Sequence, residues 1–304
     1  MIEILRPGLL DLVMDLGRRG FRAQGVPDGG AADAPALMLA NRLVGNADGT
    51  AGLELLLHGP LLRFPLGGRV ALAGADMQAR VNGVTAPRGR ALEVPPGGEL
   101  DLRQASGGLR AYLAVAGGIA VPPVLGSRST FLPGGFGGWQ GRALQANDVL
   151  PLGPAPQSRR ATLAPDARSG TLRILPGPQL AGFSDTALKA LAGGEFTVSA
   201  DANRLGLRLA GAALAYAGGE LASQAVLPGA IQVPPDGQPI ILGWDGPVTG
   251  GYPVVAGIIA VDMPGVAQLK PGDKLRFRFV TPEQARAAWA AHRRFMEQAI
   301  GWDA

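Results

Sequence analysis

The stretch Ile231-Gln-Val-Pro-Pro-Asp-Gly-Gln-Pro-Ile-Ile-Leu-Gly-Trp-Asp-Gly-Pro-Val-Thr-Gly-Gly-Tyr252 combines four features. Pro234 to Gly237 reads as a turn, and Pro239 to Leu242 as a buried strand. Asp245 lies just past that strand, and a second turn ends in Gly250-Gly251. A strand that delivers an acid onto a glycine-rich loop can set a reactive side chain beside exposed backbone N–H groups. The plainer reading is a hairpin with a polar tip.

The same stretch has an earlier counterpart. Val94-Pro95-Pro96-Gly97-Gly98 matches Val233-Pro234-Pro235-Asp236-Gly237, and Tyr112 to Ile119 matches Tyr252 to Ile259. Leu57-His58-Gly59 through Phe64 runs parallel to Leu209-Ala210-Gly211 through Tyr216, and Asn147-Asp148 to Gly272-Asp273. Four matches in one order indicate an internal duplication. A period this long means two domains and not a solenoid, whose units are far shorter.

Length agrees, since 304 residues make two domains at about 150 residues each. The expected boundaries are 1–155 and 171–304, joined by a linker over 156–170 in a stretch rich in proline, alanine and arginine. The 47 glycines and 26 prolines punctuate apolar runs at short intervals, in a chain that is 47% hydrophobic. That pattern predicts many short strands and tight turns.

Composition narrows the chemistry. The chain has no cysteine, which excludes disulfides, thiolate nucleophiles and cysteine metal sites. Its two histidines, His58 and His292, lack partners at ligand spacing, so no metal site is expected. Lysine and arginine total 28 against 24 acids, but the arginines are scattered and aromatics are 5%. Nucleic-acid binders cluster charge and interleave aromatics, so that class is set aside. No signal-peptide layout opens the chain, and no apolar run approaches the length of a membrane span. The expected location is the cytoplasm.

Along the chain, Ile2–Leu5 and Leu9–Met14 read as strands, followed by a polar loop from Asp15 to Gly20. Asp33 is placed to cap a helix running to about Val44, with Pro35 in its first turn. Asn82-Gly83 signals a hairpin. The glycine-rich loop from Gly117 to Gly141 is absent from the second copy, and loops of this length are usually functional or mobile. In the second half, Ser184 caps a short helix and Val254–Val261 reads as a buried strand. Thr281-Pro282-Glu283-Gln284 is a capping box opening a C-terminal helix. Ala285, Ala288, Trp289, Phe295 and Met296 share a face of that helix, expected to lie on a sheet or at a contact between protomers.

Without a histidine base or a metal cluster, chemistry must rest on carboxylates, arginines, hydroxyls and backbone N–H groups. Asp245 beside Thr249-Gly250-Gly251 could hold a substrate amide while the loop N–H groups bind an oxygen gaining charge. Ser127-Arg128-Ser129-Thr130 could clamp a carboxylate or phosphate, with Arg204 as a second cation.

Several segments resemble the biotin-dependent carboxyltransferase family, also called allophanate hydrolase subunit 2. They are Asp15-Leu16-Gly17-Arg18, Gly25-Val26-Pro27 through Asp33, Ala40 to Asn46, and Tyr112 to Gly118 with Gly126-Ser127-Arg128-Ser129-Thr130. Asn203-Arg204-Leu205-Gly206, Gln232 through Tyr252, Asp262, Gln268 and Pro271-Gly272-Asp273 complete the pattern over nearly the whole chain. The resemblance implies a mainly β fold of two tandem cyclophilin-like β-barrel domains with a few short helices. The family includes the carboxyltransferase portion of urea carboxylase, the C-type subunit of bacterial ATP-dependent 5-oxoprolinase, and an antagonist of a sporulation kinase inhibitor.

A free-standing chain of this length is most similar to the 5-oxoprolinase member. That implies ATP as cosubstrate, ring opening of 5-oxoproline to glutamate, and two partners, one like that enzyme's B-type subunit, the other like its A-type hydrolase. The alternatives are a carboxyltransferase component taking carboxybiotin from a separate carrier to urea or an amide, and a non-catalytic regulator of a kinase-inhibitor-type partner. The resemblance assigns Arg128 and Arg204 to anionic groups, and Gln232 and Asp245 to orienting the lactam. It assigns Thr249 with Gly250-Gly251 to oxygen stabilisation, and places Ser129, Thr130 and Tyr252 against the substrate. Asp15, Arg18 and Asp33 fall to the loop that meets the B-type partner or to the site itself. Three positions depart from the pattern: Met14 replaces a usual glutamine, Gly29 a usual serine, and Asn147 a usual glycine.

Overall fold

A computed structural model describes residues 1–157, 161–163 and 170–302, with backbone pairing alone for 161–163 and 300–302. Contacts divide the chain into two compact units: residues 1–18, 29–166 and 295–304 form the first, and residues 19–28 and 167–294 the second. Most of the expected linker, 158–160 and 164–169, lies outside the described residues. The segment 19–28 joins the second unit, where Arg22 Nη2 donates to Val226 O.

The first unit is built from β1 (Ile2–Arg6), β2 (Asp11–Met14), α1 (Ala34–Leu43), β3 (Gly52–Leu56), β4 (Leu61–Phe64) and β5 (Gly68–Asp76), followed by β6 (Arg80–Val81), β7 (Val84–Thr85), β8 (Leu92–Val94), β9 (Gly98–Asp101), β10 (Ser106–Val115) and β11 (Val149–Leu150). One sheet has the order β11-β1-β4-β9-β6-β7, the other β2-β3-β10-β5-β8, and all pairings are antiparallel. Side chains alternate faces along a strand. Val13, Leu53, Leu55, Ala111, Leu113 and Val115 of the second sheet therefore meet Ile2, Ile4, Leu62, Phe64 and Leu100 of the first in one core.

Their neighbours Leu12, Met14, Ala71, Ala73, Tyr112 and Ala114 face the other way, into a second cluster under α1. Burial on both faces explains why β2 and the end of β10 read as continuous apolar runs. Asp33 caps α1 by accepting from Ala36 N, and Leu37, Ala40, Leu43 and Val44 are buried, as the sequence predicts. Asn82 and Gly83 both adopt the left-handed region between β6 and β7, as their hairpin dipeptide requires. A further strand, β12 (Ala161–Leu163), pairs antiparallel with Ile300–Trp302.

The second unit contains β13 (Thr171–Pro176), α2 (Asp185–Gly193), β14 (Phe196–Val198), β15 (Gly206–Ala210), β16 (Gln224–Ala225), β17 (Ala230–Gln232), β18 (Ile240–Leu242), β19 (Thr249–Gly250), β20 (Val254–Ile258), α3 (Met263–Ala267) and β21 (Lys274–Phe279). Seven strands close a barrel in the order β13-β20-β17-β18-β15-β14-β21, sealed by the parallel pair β13–β21. Closure leaves no free edge. Ile174, Phe196, Leu207, Leu209, Ile231, Ile241, Val255 and Phe277 fill the interior. The strand predicted over Val254–Val261 ends at Ile258, because Ala260–Asp262 turn into a helical segment leading to α3.

Two pairs of matched turns make the same hydrogen bonds. Gly98 N donates to Pro95 O at 2.8 Å, and Gly237 N to Pro234 O at 2.9 Å. Gln145 N reaches Asp148 Oδ2 at 2.7 Å, and Lys270 N reaches Asp273 Oδ2 at 3.0 Å. The matched tyrosines diverge: Tyr112 is fully buried, whereas Tyr252 is 46% exposed.

The final helix, α4 (Pro282–Gln298), opens with the reciprocal bonds of its capping box: Gln284 N to Thr281 Oγ1 at 3.2 Å, and Thr281 N to Gln284 Oε1 at 2.9 Å. Its expected apolar face is covered only at the far end. Met296 is buried in the cluster under α1 and its carbonyl accepts from Arg42, while Trp289 is 49% exposed.

Candidate functional site

In the first unit, Asp15 directly follows β2 and organises the long loop. Its Oδ1 accepts from Ser127 Oγ at 2.6 Å, Ser129 Oγ at 2.6 Å and Gly17 N at 2.8 Å. Its Oδ2 accepts from Arg128 N at 2.6 Å, and its own N–H donates to Ser129 Oγ at 2.9 Å. Thr130 is tied to the same strand, giving both N–H (2.9 Å) and Oγ1 (3.0 Å) to Val13 O. Ser129 and Thr130 are wholly buried and their hydroxyls are committed to Asp15 and to Val13 O. This corrects the expectation that they face a substrate.

Arg18, in the polar loop after β2, is buried. It is among the largest fully buried side chains; its Nη2 donates to Ser129 O and its guanidinium lies 5.0 Å from the Phe136 ring centroid. Stacking on an aromatic face is a favourable setting for a desolvated guanidinium. The glycine-rich part of the loop is packed on this arrangement, and Gly138 N donates to Arg128 O at 3.1 Å. A Cβ at Gly138 would run into Thr130 Oγ1, so only glycine fits there. The 117–141 loop is thus an ordered buttress for Arg128.

Arg128 itself is exposed. Its Nε donates to Val121 O at 2.7 Å, and its Nη groups donate to none of the described residues. Asp33 is buried away from solvent as the cap of α1. Beside it, Glu54 Oε2 accepts from Tyr112 Oη at 2.7 Å and from Ala32 N at 2.8 Å. Burial, reinforced by the Glu54 and Asp33 charges, holds the Tyr112 phenol well above its usual range, so it stays a neutral donor. Met14 packs in the apolar cluster under α1. Asn147 takes φ +72°, as glycine would in its place.

In the second unit, Asp245 forms a buried bidentate pair with Arg204: Nε–Oδ2 is 2.7 Å and Nη2–Oδ1 is 3.1 Å. Asp245 N also donates to Arg204 O at 3.1 Å. The pair joins the turn before β15 to the turn after β18. Arg204 is therefore held by an internal carboxylate, where the sequence reading had it bind an external anion.

Gln232 is buried at the end of β17, opposite Ile240, whereas Asp245 follows the other end of β18. Gln232 Nε2 makes one long bond, 3.4 Å, to Tyr252 O, and its Oε1 accepts from none of the described residues. Gly250 lies against this amide; a Cβ there would sit 2.6 Å from Nε2. Thr249, Gly251 and Tyr252 are exposed around it, with Thr249–Gly250 paired to β16. The residues nominated from sequence thus fall into the Asp15–Arg128 loop, the Arg204–Asp245 pair, and Gln232 with Gly250 and Tyr252, while Asp33 stands apart at the cap of α1.

Sequence reasoning missed Glu54 and Arg110, a buried pair with Nε–Oε1 of 3.4 Å. The signal was a charged residue inside each of two apolar strands. It also missed Arg173, whose backbone N (2.7 Å), Nε (3.0 Å) and Nη2 (2.6 Å) all donate to Asp262. Among the described residues, no cluster of three or more histidine, cysteine or acidic side chains could hold a metal, and no helix is long and apolar enough to cross a membrane.

Comparisons with known proteins fit this architecture. The family model for "Carboxyltransferase domain, subdomain A and B" matches residues 24–279. The chain is 40% identical to the C-type subunit of 5-oxoprolinase from Escherichia coli, over 99% of this chain and 98% of that protein. It is 34% identical to urea amidolyase of Lachancea kluyveri, over 93% of this chain but 17% of the longer enzyme. The crystal structure of the Kluyveromyces lactis urea amidolyase superposes with a TM-score of 0.92 and 30% identity, covering 98% of this chain and 20% of that one. The chain belongs to the carboxyltransferase domain family, subdomains A and B.

Proposed function

We propose that the chain is one component of an ATP-dependent 5-oxoprolinase and holds the lactam of 5-oxoproline for ring opening to glutamate, working with B-type and A-type partners. The observation that carries this is the end-to-end likeness to the C-type subunit of 5-oxoprolinase, at 40% identity with both chains almost fully covered. The residues are compatible with it. A lactam is locked as a cis amide, so its N–H and C=O lie on one side. A primary carboxamide such as that of Gln232 can accept from the N–H through Oε1 and donate to the C=O through Nε2. Arg128, in the first unit, offers two unengaged Nη groups, the kind of donor that a carboxylate or phosphate takes.

In this reading ATP's terminal phosphoryl group passes to the lactam oxygen and makes the carbonyl carbon attackable by water. The C–N bond then breaks, leaving an acyl phosphate that a second water hydrolyses to glutamate and phosphate. Thr249 and the N–H groups of Gly250-Gly251 serve the oxygen as it gains charge.

The test is co-expression with the neighbouring genes and an assay of ATP-dependent 5-oxoproline consumption. Glutamate formed in step with ADP supports the proposal; no consumption with all partners present overturns it.

The family match and the urea amidolyase structure favour a second reading, in which carboxyl moves from biotin on a separate carrier to urea or an amide nitrogen. Urea also presents an N–H and its C=O on one side, so Gln232 suits both. Carboxylation of urea by the chain with a biotinylated carrier, and none of 5-oxoproline hydrolysis, would select this reading.

A further inference from the structure

We infer that Asp15 is a positioning residue: it does not touch substrate but fixes the turn that presents the Arg128 guanidinium, an inference that rests on reading Arg128 as the group meeting a substrate anion. The Asp15 carboxylate takes four donors, Ser127, Ser129 and Gly17 on Oδ1 and Arg128 on Oδ2, and the residue is 9% exposed. Its oxygens are engaged in holding the loop.

The bonds interlock. Ser129 Oγ gives its proton to Asp15 and accepts the Asp15 N–H. Ser127 Oγ gives its proton to Asp15 and accepts Ser129 N at 3.0 Å. Both hydroxyls therefore have fixed orientations. Arg128 is anchored at three points: its N–H on Asp15, its C=O on Gly138 N, and its Nε on Val121 O. What these leave uncommitted is the outward end of the guanidinium.

An acceptor-only group is required at position 15. Asparagine would set an NH2 either against the Arg128 N–H, which cannot turn away, or against Gly17 N and the two hydroxyls. Either way a backbone donor loses its partner. A hydrogen bond to a charged group contributes enough that its loss changes an equilibrium by about tenfold to a hundredfold.

The experiment compares D15N, R128A and the double variant in the full chain reconstituted with its partner proteins. KM and kcat for 5-oxoproline are measured, with amide hydrogen exchange at residues 127–130. R128A should raise KM about tenfold or more. D15N should raise KM by about tenfold with kcat little changed, accelerate exchange at Arg128 and Ser129, and add nothing in the double variant.

If R128A is impaired while D15N matches the wild type, the inference falls and the reading of Arg128 stands. The same holds if the two losses multiply. If R128A is silent, that reading falls and takes the inference with it. Should D15N not fold, S127A/S129A decides instead, since it removes two of the four donors and keeps the carboxylate. Unchanged KM and exchange in that variant would equally overturn the inference.

Discussion

Asp11 gives the sharpest quantitative prediction. It lies at the start of β2, 1% exposed, with Oδ2 accepting Gly8 N at 2.5 Å and Oδ1 without a hydrogen-bond partner among the described residues. Burial pushes its carboxyl from the ordinary 3.8 up to about 7, against the opposing pull of the Gly8 N–H. The folded chain thus holds this proton more tightly than the unfolded chain, and its stability falls as pH rises between about 4 and about 7. At about 1.36 kcal/mol per pH unit, the full loss is about 4 kcal/mol.

Asp11→Asn keeps the shape and the acceptor for Gly8 N but cannot ionise. Urea unfolding at pH 4.5 to 9 should show the variant gaining on the wild type across that window, then a constant gap above about pH 7.5. The carboxyl carbon of Asp11, assigned by its absence in the variant, should titrate near 7 by NMR. Parallel stability profiles for the two proteins, or titration near 4, would refute the reasoning.

Other perturbations follow from the same geometry. Arg204→Met leaves the Asp245 carboxylate buried without its bidentate partner, and should cost about 3–5 kcal/mol in urea unfolding; an unchanged midpoint would show the pair to be dispensable. Gly138→Ala forces a side chain onto a residue at φ +55° and into Thr130 Oγ1, so it should destabilise by more than about 1 kcal/mol and speed proteolysis within 117–141. Trp289→Ala acts on a half-exposed face of α4 and should leave thermal stability within about 0.5 kcal/mol.

Local features of the fold were legible because their causes are local. Asp33, Ser184 and the Thr281 box cap helices by bonding the N–H groups within the next turn, and Asn82-Gly83 turns because those residues accept positive φ. The apolar runs of β2 and β10 show burial, but not which residues face which core; that depends on α1 covering one side of the sheet. The exposed start of α4 was illegible for the same reason, since an apolar stripe states a capacity for packing and not whether a surface is supplied. Arg18 shows the limit most plainly. In a polar loop a scattered arginine reads as solvated, yet Phe136 and Ser129 O, more than a hundred residues later, draw it inside.

The site residues divide along the same line, since an acid's type is local but its partners are not. Arg128 and Arg204 look alike in sequence, each beside a loop with small residues, and both were nominated for an anion. For Arg204 to serve, an incoming carboxylate would have to displace Asp245, leaving that group charged and buried with no bidentate partner. Breaking that pair costs about 3–5 kcal/mol, which an incoming anion would have to offset at a guanidinium that is itself buried. Arg128 faces no such competition, because its backbone, and not its outward Nη end, is what Asp15 holds. In the proposed function the two arginines therefore take different parts: Arg128 meets the anion, and Arg204 with Asp245 keeps the turn after β18 in the shape from which Thr249 and Gly250 extend.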